Sequence, residues 1–186
     1  MKKESITIAE KTLLISKKKS WTSLDFDEII KTGKIAKICL KFNINNKKDL
    51  LLNINNFFDY KIKKLSKEIE KSSKKDMFFE IIMMRFDILQ IHRKPIIKIF
   101  EFFKKKPQEL VFLLPSLIES MISMAGLAKI PVVGIKGNLK VKGLLVIYFS
   151  SFLVWAKDNT ESLEKTMTSL DNHLDRAGKL LSIIKI

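Results

Sequence analysis

The chain has 186 residues, 46% of them apolar and 30% charged, with 35 Lys and Arg against 20 Asp and Glu for a net charge of +15. That apolar share excludes a disordered chain, and the length suits one ordinary domain or a small domain joined to a larger one. A single cysteine, Cys39, excludes an intramolecular disulfide framework; two histidines are too few for a His-rich metal site; six Gly and four Pro argue against a turn-rich β-sandwich.

Taken in chain order, the apolar period is helical almost everywhere. A first helix carries Ile8, Lys11, Thr12 and Ile15 on one face, with Leu13 and Leu14 beside them. It ends in Lys17, Lys18 and Lys19, where positive charge suits a helix C-terminus. Trp21 falls in the connector. Asp25 is placed to cap a short second helix with Phe26, Ile29 and Ile30 inward, and Gly33 to end it. A third short helix is predicted over residues 35–43, with Ile35, Ile38 and Leu40 as its buried side chains. Asn45 and Asn46 break the pattern, and a long helix over residues 47–71 resumes it.

A polar turn at 72–75 leads to a fifth helix over 76–92. Further helices are predicted over 95–105, 107–126, 139–157 and 161–184, with Pro95 and Pro107 in first-turn positions. Residues 129–138, containing Pro131, Gly134 and Gly137, read as the one long loop. The result is an all-α chain of about nine helices with no solenoid repeat. It divides near residue 55 into a small N-terminal domain, 1–55, and a larger helical bundle, 56–186, joined within a helix.

The charge makes nucleic acid or an anionic membrane surface the first partner to consider. Only three of the basic residues are Arg, however, and Lys, Ile, Asn and Phe, all abundant here, share AT-rich codons. Composition drift therefore competes with selection for binding as the source of the charge. Residues 1–10 are too polar for a signal peptide. The longest apolar stretches, 110–128 and 143–156, are interrupted or short of the roughly 20 residues a bilayer span needs. A cytoplasmic chain without a transmembrane segment is expected.

Three segments can carry function. Residues 25–43 fit a helix-turn-helix, whose second helix enters the major groove. Lys34, Lys37 and Lys41 fall at spacings of three and four and share a face, flanked by basic runs suited to phosphates. The competing account is a three-helix cap with a solvated lysine face.

On the last helix Leu163, Met167, Leu170, Leu174, Ala177, Leu181 and Ile184 form an a/d seam. With Tyr148, Phe152 and Trp155 on the preceding helix, it predicts half of a four-helix bundle completed by a second copy. The competing account is that both helices close the subunit's own core. Third, Phe79, Met83, Phe86, Phe100, Phe103, Phe112, Met121 and Met124 suit an apolar cavity between the middle helices, although such a stripe is also ordinary core. No phosphate-cradling glycine loop, metal-ligand spacing or nucleophile motif is present, so neither catalysis nor a cofactor is expected.

Residues 20–51, SWTSLDFDEIIKTGKIAKICLKFNINNKKDLL, resemble without gaps the DNA-binding unit of the TetR (tetracycline-repressor) family of transcriptional regulators. Trp21, Leu24, Phe26, Ile29, Ile35, Leu40, Lys47, Asp49 and Leu50 occupy the family's expected residue classes. Four departures stand out: Lys34 where the turn glycine is usual, with Gly33 one place early, Lys41 for a tyrosine that often touches phosphate, Ile44 for the usual Phe, and Ile38 at a small position. The segments MMRFDILQIHRKPI and KVKGLLVIYFSSFLVWAKDNTESLEKTMTSLDNHLDRA resemble a TetR-like group common in alphaproteobacteria. They are also similar to the lipid-binding accessory protein of coenzyme Q biosynthesis, which has the same fold without acting as a repressor.

The resemblance implies a TetR-like homodimer reading a pseudo-palindromic double-stranded operator. Ala36, Lys37 and Lys41 would face the bases, Lys34 would lie beside them and Lys47 would hold a backbone phosphate. An apolar effector or lipid would sit in the C-terminal domain. The alternative it implies is a lipid-binding protein with a vestigial helix-turn-helix, which Lys34 and the loss of the tyrosine at position 41 favour.

Overall fold

The computed structural model describes residues 1–70 and 72–183, the last four as backbone only. Among them are ten α-helices and no strand: α1 (Lys3–Lys18), α2 (Phe26–Gly33), α3 (Ala36–Lys41), α4 (Lys47–Leu65), α5 (Lys74–Ile91), α6 (Arg93–Lys105), α7 (Gln108–Val111), α8 (Leu114–Leu127), α9 (Gly134–Trp155) and α10 (Glu164–Ile183). They form two compact units, Met1–Lys61 with Ile88–Ser116, and Ile62–Asp87 with Leu117–Ile186. The N-terminal unit thus recruits α6 and α7 from the middle of the chain.

Most elements lie where their apolar periods place them, and the differences have local causes. The helix predicted over 107–126 is two helices. Pro115 has no N–H to donate to the carbonyl four residues back, and α7 accordingly ends at Val111. Helix α9 begins five residues earlier than predicted. Gly134 holds a left-handed backbone (φ +73°) at its start. A Cβ on Gly137 would come within 2.1 Å of the Val132 carbonyl carbon, so this glycine permits a close-packed first turn rather than a loop. The earlier start brings α9 to 22 residues, long and apolar enough to cross a membrane by length and composition alone. The expectation that no segment reaches that length is corrected accordingly.

In the first unit α1 buries Ser5, Ile8, Ala9, Thr12, Leu13 and Ser16 and leaves Lys11 and Leu14 outside. It packs on α2, α3 and α6. The core continues through Trp21, Leu24, Ile29, Ile35, Leu50, Ile54, Phe57 and Phe58. Ser5 donates to Asn53 Oδ1 at 2.6 Å, and Asn53 Nδ2 returns to the Ser5 carbonyl at 3.0 Å, so the polar pair between α1 and α4 is mutually satisfied.

In the second unit Phe86 stacks on Tyr148 (5.7 Å) and Trp155 (6.3 Å). The fully buried Arg85 donates from Nε to the Tyr148 hydroxyl at 3.2 Å and lies over its ring. Helix α10 lies along α9, and Asp158 closes the turn between them. Its carboxylate accepts from the backbone N–H and hydroxyl of both Thr160 and Thr166 at 2.7–3.1 Å.

Helix α2 ends in a Schellman motif, and this sets the turn to α3. Ile35 N–H donates to the Ile30 carbonyl (3.0 Å) and Lys34 N–H to that of Lys31 (3.1 Å). The motif demands a left-handed residue, and that residue is Lys34 (φ 54°, ψ 40°) rather than the preceding glycine. Gly33 serves packing instead, because a Cβ there would press on Ile15 and Ile35 at 3.3 Å. A side chain in the left-handed region is disfavoured relative to glycine. Lys34→Gly should therefore raise stability by about 0.5–1 kcal/mol, seen as a higher urea midpoint at unchanged slope.

Candidate nucleic-acid interface

The second and third helices are assembled by local chemistry. Asp25 accepts from the Glu28 N–H at 2.6 Å and so caps α2. Helix α3 repeats the Schellman ending of α2. Ile44 N–H donates to the Cys39 carbonyl and Asn43 N–H to that of Leu40, with Asn43 left-handed at φ 53°. Asn46 then caps α4 by accepting from the N–H groups of Lys48 and Asp49. Two short helices are thereby held by a fixed turn, as a helix-turn-helix requires.

What α3 buries decides what it can present. Ile35, Cys39 and Ile44 are the inward side chains. Burial pushes the Cys39 thiol above its usual pKa, which makes it an inert packing group. Leu40, expected inside, is instead 72% exposed. Residues 35 and 39 are one turn apart, and position 40 lies some 100° further round the helix. The outer face of α3 is therefore Ala36, Lys37, Leu40 and Lys41, with Lys34 exposed just before it.

The predicted lysines divide by role. Lys37 and Lys34 are exposed. Lys41 donates to both oxygens of Glu4, in the first turn of α1, at 2.8 Å. Both partners are about half exposed, and such a surface pair is worth about 0–1 kcal/mol, so it yields readily to another anion. Lys47 is corrected. Its ammonium donates to the carbonyls of Trp21 and Leu24, both at 2.6 Å, and lies 5.0 Å above the Trp21 ring. Burial lowers its pKa below the ordinary lysine value, against the pull of Asp25. Lys47 thereby ties the α1–α2 connector to α4.

A crystal structure of the TetR transcriptional regulator from Nitrosomonas europaea ATCC 19718 aligns with this chain at a TM-score of 0.71. The match covers 94% of this chain and 97% of that one, at 16% identity. The fold is TetR-like. No protein-family model matches the sequence, and no curated protein does. In this fold α2 and α3 are the two short helices over which the sequence pattern predicts a helix-turn-helix.

The predicted association seam is corrected. Trp155, Leu163 and Leu170 are essentially inaccessible, and Tyr148 and Leu174 nearly so, because α10 spends its a/d seam on α9 of its own chain. Phe152 is half-buried on Trp155, and Met167 is exposed. The side chain of Leu181, and Ile184 altogether, lie outside the described residues. What remains outward on α9 is a second seam at spacings of 3, 4, 3 and 4. It consists of Leu139, Lys142, Val146, half-buried Phe149 and Leu153. Leu139, Val146 and Leu153 are each more than half exposed.

The eight residues expected to line a pocket divide between the two units. Phe100, Phe103 and Phe112 belong to the first unit, Phe100 and Phe112 under the ammonium groups of Lys104 and Lys48 respectively, whereas Phe79, Met83, Phe86, Met121 and Met124 belong to the second. In that second unit a cleft of about 760 Å³ is lined by other side chains. Phe78, Ile130, Leu139, Leu144, Ile147 and Leu174 make its walls, and Lys74, Lys75, Lys140 and Lys179 also line it. Lys75 is engaged by Asp171 and Asp175, and these hydrogen bonds raise its pKa.

Among the described residues no three His, Cys, Asp or Glu side chains come together as a metal site would need. His92 packs against Phe57 and Phe58, and burial lowers its pKa.

Proposed function

We propose that the chain is a TetR-like transcriptional regulator that binds a pseudo-palindromic operator as a homodimer. Helix α3 is the reading helix, and the two copies enter successive major grooves about 34–36 Å apart. The observation that supports this best is the outer face of α3, an exposed strip of Ala36, Lys37, Leu40 and Lys41 on a helix fixed by two Schellman turns. A vestigial unit would have no need to keep both turns and both caps. The outward seam on α9 supplies a surface for the second copy. The apolar cleft of the second unit, with its lysines, suits an apolar effector bearing an anionic group. Such an effector regulates by binding one arrangement of the reading heads better than another.

Capture of genomic fragments by the purified chain tests the reading, followed by affinity measured against salt. A regulator selects a pseudo-palindrome. Lys37→Ala should weaken binding to it and flatten the salt slope by about one unit if Lys37 meets a phosphate. Glu4→Gln should act in the opposite sense by releasing Lys41. It should tighten binding about two- to fivefold at low salt, the worth of one exposed ion pair. Sequence-indifferent binding, with isoprenoid or phospholipid copurifying, would overturn the operator reading in favour of lipid carriage.

A further inference from the structure

The outer face of α3 contains no arginine, asparagine, glutamine, aspartate or glutamate. Those are the side chains that read base edges by paired hydrogen bonds, arginine on guanine, asparagine or glutamine on adenine, and a carboxylate on cytosine. Lysine is a point charge that serves phosphates and guanine edges alike. The remaining sequence-dependent feature of the major groove is the 5-methyl group of thymine, which is read by apolar contact.

At the centre of this face Leu40 is 72% exposed. It sits one turn from exposed Ala36 and is flanked in sequence by Lys41, with Lys37 and Lys34 preceding it. A leucine so exposed between lysines leaves most of its side chain uncovered by its own chain. The surrounding positive charge favours a polyanion as the partner that covers it.

We propose that the chain recognises DNA chiefly through thymine methyl groups, with Leu40 as the residue that reads them and Ala36 beside it. This rests on α3 being the reading helix. The lysines then position the helix on the backbone, and the apolar pair carries the sequence preference toward AT-rich half-sites. In water Leu40 and a thymine methyl each expose apolar surface, and docking buries both. Cytosine or uracil at the same place leaves the leucine facing a gap or a polar edge.

The experiment uses the full chain and the duplex recovered from the genomic capture. Thymines are replaced by deoxyuridine one at a time on each strand, which deletes the methyl group and leaves pairing intact. Affinity is read by fluorescence anisotropy at fixed salt. One or two positions per half-site should lose about fourfold, the worth of one buried methyl. Leu40→Ala should bind the thymine and deoxyuridine duplexes equally, with an unchanged far-UV spectrum.

A selected duplex that tolerates deoxyuridine everywhere overturns methyl reading and leaves the operator reading standing. Deoxyuridine sensitivity that persists in Leu40→Ala overturns the assignment to Leu40. Failure to recover any preferred duplex overturns both readings together.

Discussion

A chain carrying Val146→Glu and Leu153→Glu together is expected to run as a monomer in light scattering and to bind a two-half-site operator at least about a hundredfold more weakly. Both side chains stand outside the subunit at one seven-residue interval on α9, so the charges land on the outer seam without entering a core. The far-UV spectrum should be unchanged. Linking two weakly held reading helices through one dimer multiplies their affinity by about 10²–10⁴, and that factor disappears when the copies separate. Leu170→Glu is the instructive contrast. Leu170 has no exposure within its own chain, and a charge there should unfold the protein. A double variant that stays dimeric would remove α9 from the interface.

Asp158→Ala is expected to lower stability at pH 7 by about 2–3 kcal/mol, because it strands the two N–H groups and two hydroxyls that converge on one buried carboxylate. Burial by itself would raise the pKa of this group. The four hydrogen bonds from Thr160 and Thr166 outweigh it and hold the carboxyl well below the usual carboxylate range. A depressed pKa in the folded chain means that the contribution is complete above the unfolded value, about 3.9, and is lost as pH falls below it. The gap between wild type and variant in urea midpoint should therefore narrow from pH 7 to pH 3. A gap of constant size would show that the carboxylate's charge contributes nothing.

The same residue explains one limit of the sequence resemblance. The stretch from Trp155 to Asp158, with Thr166 beyond it, lies in the segment whose resemblance pointed to regulators and to a lipid-binding protein alike. In the structure Asp158 and Thr166 build the turn between α9 and α10. They carry the architecture and say nothing of what is bound.

Where a segment is apolar on one side, the sequence was sufficient. The periods of α2 and α6, the start of α4, the Asp25 cap and the Asn46 break lie where the residues put them, although α4 ends at Leu65 and not at the predicted residue 71. Where a helix is apolar around most of its circumference, periodicity loses its direction. Helix α9 is such a case. Its inner residues, Tyr148 and Trp155, and its outer ones, Val146 and Leu153, are chemically alike, and only packing distinguishes them. Leu40 was misplaced for the opposite reason, since apolar character suggested burial on a helix too short to show its period. Lys47 follows the family pattern in type, but its role depends on two carbonyls more than twenty residues away. No local signal could have revealed them. The cleft of the second unit likewise joins α5, α9 and α10, which are distant in sequence.

Lys34 joins two demands that pull apart. The bend it occupies favours the smallest residue, while a neighbouring polyanion favours a long cationic one. On the proposed operator reading, thermal endurance and grip on DNA are thus set against each other at a single codon. Relatives living at higher temperature would be expected to settle that contest toward glycine and recover the missing charge elsewhere on the same surface.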